Sequence, residues 1–469
     1  METGANGFLA TEKVGRLMVK FAVPCVISLL VGALYNIVDQ IFIGWGVGYL
    51  GNGATSVVFP LTVLALAVAV MIGDGACAYI SGRLGAGDGE SAGQSVGNAV
   101  MLSVLCGVVL MLIYYMYEDK LLHAFGATEA NLAYAREYFF YIALGIPFYM
   151  FANALNPIIR ADGSPRFAMA ATLSGAILNV ILDPIAIFVL HWGMTGAAVA
   201  TAAGQVLSAA LSLGYLFRMK VIRLSPVCFR PSGRCIGDFL PLGFCSFLSQ
   251  MSVVIAMAAT NNMLVVYGAA SKYGSDIALT VLGIVMKIFQ IVISVVVGMA
   301  AGCIPVVGFN HGAGRDDRAL EIMKYLLWAE GLLGLAALVA VEFFPMQLIS
   351  IFGSESALYN EFAVLTFRIY LSMIVLACIN KAAFIFLQSL GRPWLSAGLS
   401  LFREVLLGVP LVLLLPRRLG LLGVLYSMPL ADGITFAASA AVIILTGRSL
   451  KRNALGEHCQ SRNSRMSKI

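Results

Sequence analysis

The sequence predicts an all-α integral membrane protein, with twelve transmembrane helices arranged as two parallel six-helix repeats. Three observations predict it. First, 60% of the 469 residues are hydrophobic and only 12% are charged, against about 25% charged in soluble domains, and the mean hydropathy is +0.90. Second, uncharged runs such as 21–38, 91–117, 138–159, 239–271 and 288–314 reach or approach the roughly 20 residues that a helix needs to cross about 30 Å of hydrocarbon. Third, a set of glycine landmarks recurs in the second half of the chain at nearly one offset. A chain this apolar has no surface for a soluble enzyme to show to water.

Splitting the runs at Gly, Pro and charge clusters gives helices over approximately 17–44, 55–80, 92–116, 132–158, 166–190, 194–217, 239–267, 277–305, 318–343, 360–388, 395–416 and 420–446. Helix 1 follows Lys13, Arg16 and Lys20, and its apolar run continues to Asp39 with no small-residue cleavage site, so it reads as a retained span rather than a secretory leader. After it, Gly46-Val-Gly48-Tyr-Leu-Gly51 spells a dinucleotide fingerprint, yet it follows a membrane helix instead of a strand and reads as an extracellular turn. No Walker A lysine motif occurs, so ATP drive is not encoded in this chain. The basic loop carrying Arg218, Lys220, Arg223, Arg230 and Arg234 splits the chain almost in half. The expected organisation is an N-lobe at 1–217, a cytoplasmic linker at 218–238, a C-lobe at 239–447 and a disordered cytoplasmic tail at 448–469.

Pairing the spans in order puts twenty of the thirty Lys and Arg on the side of the N-terminus, five on the other side and five inside spans. By the positive-inside rule both termini are cytoplasmic, in a multi-pass protein of the cell membrane. The net charge of +6 is therefore topological and calls for no nucleic-acid partner. Nine cysteines form no Cys-x-x-Cys pair and four histidines lie far apart, so no disulfide, metal or cofactor is expected.

The repeat is carried by three landmarks. Gly85-Ala-Gly87 returns as Gly312-Ala-Gly314, Gly163-Ser-Pro165 as Gly391-Arg-Pro393, and Gly193-Met-Thr-Gly196 as Gly420-Leu-Leu-Gly423, at offsets of 227, 228 and 227. An even number of helices per copy makes the copies parallel, an arrangement that places a site near mid-membrane at or beside the lobe interface.

A carboxylate at mid-bilayer costs about 2.5–3.5 kcal/mol on insertion scales, so each one is a functional candidate. Asp39, Asp74, Asp183, Glu330, Glu404 and Asp432 qualify, with Lys287, Lys324, Arg368, Lys381 and Arg403. Asn179 precedes Asp183 by four residues, on the same helical face, and Pro184 follows, bending the backbone and freeing a carbonyl beside the carboxylate. Tyr35, Asn36, Asp39 and Gln40 form a polar stripe on helix 1. For Asp39 and Asp183 a cation-coupling role is favoured over a structural pair. Asp74, near the cytoplasmic end of helix 2, reads as interfacial and structural, and Glu330, Glu404 and Asp432 as structurally paired with basic partners. Gly298-Met-Ala-Ala-Gly302 reads as a close-packing motif within the molecule rather than a dimer face, and twenty Met with many aromatics suit an adaptable amphipathic pocket, although lipid-facing use accounts better for most of them.

Pro24 followed by Leu34-Tyr-Asn-Ile-Val-Asp39-Gln-Ile-Phe-Ile-Gly44 resembles the first helix of the multidrug and toxic compound extrusion (MATE) family. The likeness continues through Asn156-Pro-Ile-Ile-Arg160-Ala-Asp-Gly163-Ser-Pro165, Leu178-Asn179-Val-Ile-Leu-Asp183-Pro184 and Gly193-Met-Thr-Gly196-Ala-Ala-Val-Ala-Thr201, with Gly308-Phe-Asn310-His-Gly312, Gln388-Ser-Leu-Gly391-Arg392-Pro393 and Gly420-Leu-Leu-Gly423 in the second half. The ordered set spans about 420 residues. It is most similar to the bacterial branch with coupling carboxylates in the N-lobe, since helix 7 holds no carboxylate. The resemblance implies a two-lobed antiporter that rocks between inward-open and outward-open states and expels organic, often cationic, amphipathic compounds in exchange for H⁺ or Na⁺. It places Asp39, Asn179, Asp183 and Thr201 at the coupling site, and Tyr35, Asn153 and Asn156 along the substrate cavity, to which Asn36 and Gln205 are also assigned. The Gln that commonly precedes the Pro of helix 8 is Ile304 here.

Two like charges in a low dielectric cannot both ionise readily, so Asp39 and Asp183 are expected to share a proton. Proton and cationic drug then compete for one negative charge. A Na⁺ version needs about five or six oxygens, which Asp39, Asn179, Asp183, Thr201 and a backbone carbonyl nearly supply; the sequence leaves H⁺ and Na⁺ open. The alternative is a lipid-linked precursor flippase of related architecture, disfavoured because helices 1 to 6 lack a strongly basic cavity. No clustered constellation for a membrane-embedded enzyme is present, and a monomer is expected.

Overall fold

The structure, a computed structural model, describes residues 7–129, 131–350 and 357–466. Eleven of the described helices are each long and apolar enough to cross a bilayer, and a pair bent by 44° supplies a twelfth span. In chain order they are α1 (Val14–Gly46), α2 (Tyr49–Gly85), α3 (Gly89–Met116), α4 (Leu132–Ala161), α5 (Pro165–Pro184), α6 (Gly193–Leu216), α7 (Gly233–Ala269), α8 (Gly274–Gly312), α9 (Asp316–Phe343), α10 (Ala357–Tyr370 with Ile374–Ser389), α11 (Pro393–Leu401, continued by π-helical and further helical turns to Leu419) and α12 (Leu421–Met466). No strand occurs among the described residues. The fold class is the one the sequence predicts.

The repeat is visible in the backbone. Gly87 and Gly314 have φ of 81° and 74°, Gly163 and Gly391 83° and 71°, and Gly193 and Gly420 53° and 59°. These values lie in the left-handed region, which a residue without Cβ enters at no steric cost. A fourth pair, Gly48 and Gly274 at 91° and 79°, opens α2 and α8, so the glycine-rich turn after helix 1 is an architectural joint.

Two expectations about helix ends are corrected. Helix α7 starts at Gly233, six residues inside the segment read as linker, because the Ser232 hydroxyl accepts from the Cys235 amide at 3.3 Å and caps the helix there. Helix α12 runs to Met466, so the tail is helical over 448–466 instead of disordered. In both places charged residues end the hydrocarbon-spanning stretch without ending the helix.

The buried apolar residues show how the halves meet. One cluster, from Ile43 to Ala198, belongs wholly to the first half, and another, from Leu264 to Leu425, wholly to the second half. A third joins the halves, packing Cys25, Ile72 and Ala76 with Phe239, Leu242, Ala301 and Ile304. Glycines make this joint tight. A Cβ on Gly302 would lie 2.7 Å from Ala22 Cα and one on Gly298 2.6 Å from Val26 Cα, so α8 rides on α1 with backbones in contact, as the close-packing motif predicted. A Cβ on Gly75 would meet the Phe239 carbonyl at 2.5 Å, which holds α2 equally close to α7. Beside it Ser246 of α7 donates to Asp74 of α2 at 2.8 Å and receives from Gln388 of α10 at 3.2 Å, while Arg160 of α4 sits 3.7 Å from the same carboxylate. Asp74 is thus an interfacial bridge. The joint lies toward the end of the bundle that carries the linker, and Asp39 lies toward the other end of α1.

Candidate functional site

Helices α5 and α6 approach closely because both present glycine. A Cβ on Gly204 would stand 2.6 Å from the Gly175 carbonyl oxygen, and a Cβ on Gly175 2.5 Å from the Gly204 carbonyl. This spacing brings Thr201 to Asn179. Immediately after Asp183, Pro184 withdraws an amide from the helical ladder and the chain passes into a π-helical turn, Ile185–Val189, closed by Leu190 N–H to the Ile185 carbonyl at 2.9 Å. The predicted local distortion is therefore present, one turn beyond the carboxylate.

The Asn179 amide nitrogen donates to Asp183 Oδ1 and to Thr201 Oγ1, each at 3.2 Å. That uses both of its protons and leaves its oxygen free to accept a ligand. Asp183 is wholly buried, Asn179, Asp39 and Thr201 are buried, and the Asp39 and Asp183 carboxyls lie close enough to act on each other. Asp39 Oδ1, Asn179 Oδ1 and Asp183 Oδ2 find no donor among the described residues, and no ion pair reaches either Asp. The four residues assigned to coupling thus converge from α1, α5 and α6 into a buried nest of oxygens with unbalanced negative charge.

The residues assigned to the cavity disperse. Tyr35 is half-buried beside Asp39, Asp183 and Tyr149. Asn36 is exposed and donates to the Gly32 carbonyl at 2.7 Å. Asn153 donates to the Tyr149 carbonyl at 2.9 Å. Asn156 is committed to α5, donating to the Ala168 carbonyl at 3.1 Å and Thr172 Oγ1 at 2.9 Å, so it ties two helices together. Gln205 packs against Gly145, and its Oε1 has no donor among the described residues.

Sequence reasoning missed Tyr138 of α4. It is buried and lies near Thr201, Asp39, Asp183 and Tyr35. It stands in the run Tyr138-Phe139-Phe140-Tyr141, where nothing distinguishes an inward phenol from aromatic filler.

In the second half, Glu404 and Asp432 are paired as expected. Arg403 holds Asp432 through two bonds of 2.5 and 3.1 Å and also contacts Glu404, and Lys381 reaches Glu404 at 3.2 Å and Ser249 at 3.4 Å. Glu330 departs from expectation. Both of its oxygens lack a donor among the described residues, because α9 places it against thiols and apolar side chains where no cation reaches.

A membrane-spanning helical bundle with parallel repeats and a buried carboxyl pair has the construction of a transporter. The MatE family model matches residues 24–185 and 251–414. Among relatives, multidrug export protein MepA of Staphylococcus aureus strain MRSA252 is 23% identical over 442 residues, covering 93% of this chain and 95% of its own. The MepA of Staphylococcus saprophyticus is 26% identical over 436 residues, covering 91% and 92%. Among solved structures, an outward-facing multidrug resistance MATE family transporter of the MOP superfamily superposes with a TM-score of 0.89 at 25% identity, over 96% of this chain and 100% of that one. A MATE structure in the bent conformation gives 0.88 at 25% identity, over 97% and 100%. The chain belongs to the MatE family and is a MATE family transporter.

Proposed function

We propose that this transporter is a secondary active antiporter that exports amphipathic, often cationic, organic compounds in exchange for H⁺ or Na⁺, by rocking of residues 1–217 against 239–447. The observation that carries the reading is the Asp39–Asp183 pair, buried, in mutual contact and unbalanced by any cation among the described residues. A proton neutralises one of the two carboxyls. A Na⁺ would find Asp39, Asn179, Asp183 and Thr201, four of the roughly six oxygens a hard cation takes. A cationic compound answers the same charge, so coupling ion and cargo compete. Antiport follows when the empty, doubly charged site does not reorient, because each occupied form then crosses in its own direction. The names of the MepA relatives, multidrug export proteins, support drug-like cargo.

With both termini cytoplasmic, the tight joint of α1, α2, α7 and α8 closes the cytoplasmic side and the Asp39 end faces outward. The test is efflux of a cationic dye from proteoliposomes under a pH gradient without sodium, then under a sodium gradient without ΔpH, for the native chain and Asp183→Asn. The expected result is drive by one gradient, abolished by the substitution. Efflux that persists unchanged in Asp183→Asn, or that responds to neither gradient, overturns the proposal.

A further inference from the structure

Glu330 is the one buried carboxyl of the second half, among the described residues, that has no partner. It sits at the centre of α9 (Asp316–Phe343), wholly buried, and neither oxygen meets a donor. The contrast with its neighbours is sharp: Glu404 and Asp432 are held by Lys381 and Arg403. The titratable groups that face Glu330 are the thiols of Cys303 on α8 and Cys378 on α10. No charged side chain acts on it from α1, α10 or α12 among the described residues. An ionised carboxylate so placed would have neither hydrogen bond nor counter-ion at mid-bilayer, the costliest state a side chain can adopt there, so it holds its proton in the conformation described. An apolar residue of the same size would stabilise such a core better than an unpartnered acid does, and packing therefore does not account for it.

The surroundings connect this group to the moving parts. A Cβ on Gly334, one turn along α9, would lie 2.7 Å from Val375 Cα, so α9 and α10 touch backbone to backbone beside the acid. Cys303 follows Gly302, whose contact with Ala22 of α1 is part of the joint between the halves. The stretch of α8 that borders Glu330 is thus the stretch that grips α1. Asn380 Oδ1, Thr435 Oγ1 and Ser439 Oγ, also buried in this half and without donors, give its interior further polar positions.

We propose that Glu330 is a second proton-binding site, loaded while α8 grips α1 and emptied to water when that joint opens. The step is a simple deprotonation, carboxylic acid to carboxylate plus a hydrated proton. It rests on the transporter reading above, but its ligand site is separate from the Asp39–Asp183 pair.

The test compares the native protein with Glu330→Gln, which copies the neutral acid in shape, and with Glu330→Met as a second variant, all in proteoliposomes. Infrared spectra at neutral pH read the carbonyl stretch of protonated carboxylic acids without requiring transport. The expected result is a band present in the native protein and missing from both variants. Protons moved per dye molecule expelled are counted in parallel, and Glu330→Gln is expected to expel dye with fewer protons. A spectrum unchanged by Glu330→Gln shows an ionised Glu330 and overturns the proposal. A proton count unchanged by it, including none in either protein, also overturns it, by making Glu330 a static acid. Persistence of efflux in Asp183→Asn would sink the N-lobe reading while leaving the infrared band to decide this one.

Discussion

Replacing Gly204 with alanine tests whether helix spacing builds the proposed coupling site. The added methyl would stand 2.6 Å from the Gly175 carbonyl oxygen, where ordinary contact begins at 3.4 Å. The obstacle is backbone and has no rotamer to turn away, so α5 and α6 must part by about 0.8 Å. If that movement is transmitted to the neighbouring turn, the Asn179–Thr201 bond, 3.2 Å as folded, opens to about 4.0 Å and is lost. Leaving two buried polar groups one bond short, with Asn179 still held to Asp183, costs about 1–3 kcal/mol, and if that cost falls on the cation-bound form it weakens the proposed coupling cation roughly 5- to 150-fold. The assay is gradient-driven dye efflux in proteoliposomes, titrated in the coupling cation. Gly214→Ala on the same helix is the control, because a methyl there meets nothing within 4 Å. Both substitutions raise intrinsic helix propensity equally. The reasoning is refuted if the two variants show the same cation dependence.

Two further outcomes follow from groups outside the spans. Asp162 is wholly buried and its carboxylate accepts from Tyr215 Oη and from the amides of Lys220, Val221 and Ile222 at 2.7 to 3.0 Å. Asp162→Ala should lower stability by about 3 kcal/mol and expose residues 217–232 to protease, read as a lower thermal midpoint and faster cleavage there. Asp88 caps α3 by accepting from the Ser91 amide at 3.0 Å, and the Ser91 hydroxyl first, then this amide, hold its carboxyl below the usual carboxylate value of 3.8. The folded value being the lower one, the cap's contribution is present above the unfolded value and fades as pH falls through the folded one. Asp88→Ala should cost at most about 1 kcal/mol at neutral pH, with a difference from the native protein that vanishes in strong acid.

The sequence is most legible where chemistry and spacing coincide. Asn179 and Asp183 share a face by helical period alone, Pro184 announces the distortion beside them, and six glycines announce the repeat through the turns only they can make. Legibility fails where a residue's role depends on which neighbour it meets. Tyr138 and Tyr141 are equivalent as letters, and only the packing of α4 on α6 turns one toward Thr201. Asn156 looks like a cavity amide until α5 supplies Ala168 and Thr172. Glu330 looks paired because cations are plentiful in the second half, yet Lys381 and Arg403 are already committed to Glu404 and Asp432. The break in α10 between Tyr370 and Ile374 has no proline or glycine to mark it.

The repeat offset exposes how one scaffold carries two different interiors. A shift of 227 residues takes Gln205 to Asp432, and a shift of 228 takes Asn153 to Lys381. Neutral amides in the first half correspond to an acid and a base in the second. In reverse, the positions equivalent to Asp39 and Asp183 are Val265 and Pro410 at shifts of 226 and 227, so the second half has no counterpart of the carboxyl pair. Glu404 and Asp432 are instead locked in a network with Arg403 and Lys381, and removing one member of a buried ion pair typically costs about 3–5 kcal/mol. A cation arriving there would have to displace a guanidinium that is already bonded twice. One arriving at Asp39 and Asp183 displaces at most a proton. On the proposed reading, this division places the contest between coupling ion and cargo in the first half, where two carboxyls are left unbalanced by the protein, and leaves the second half a single unpartnered acid, Glu330, that a proton alone can neutralise.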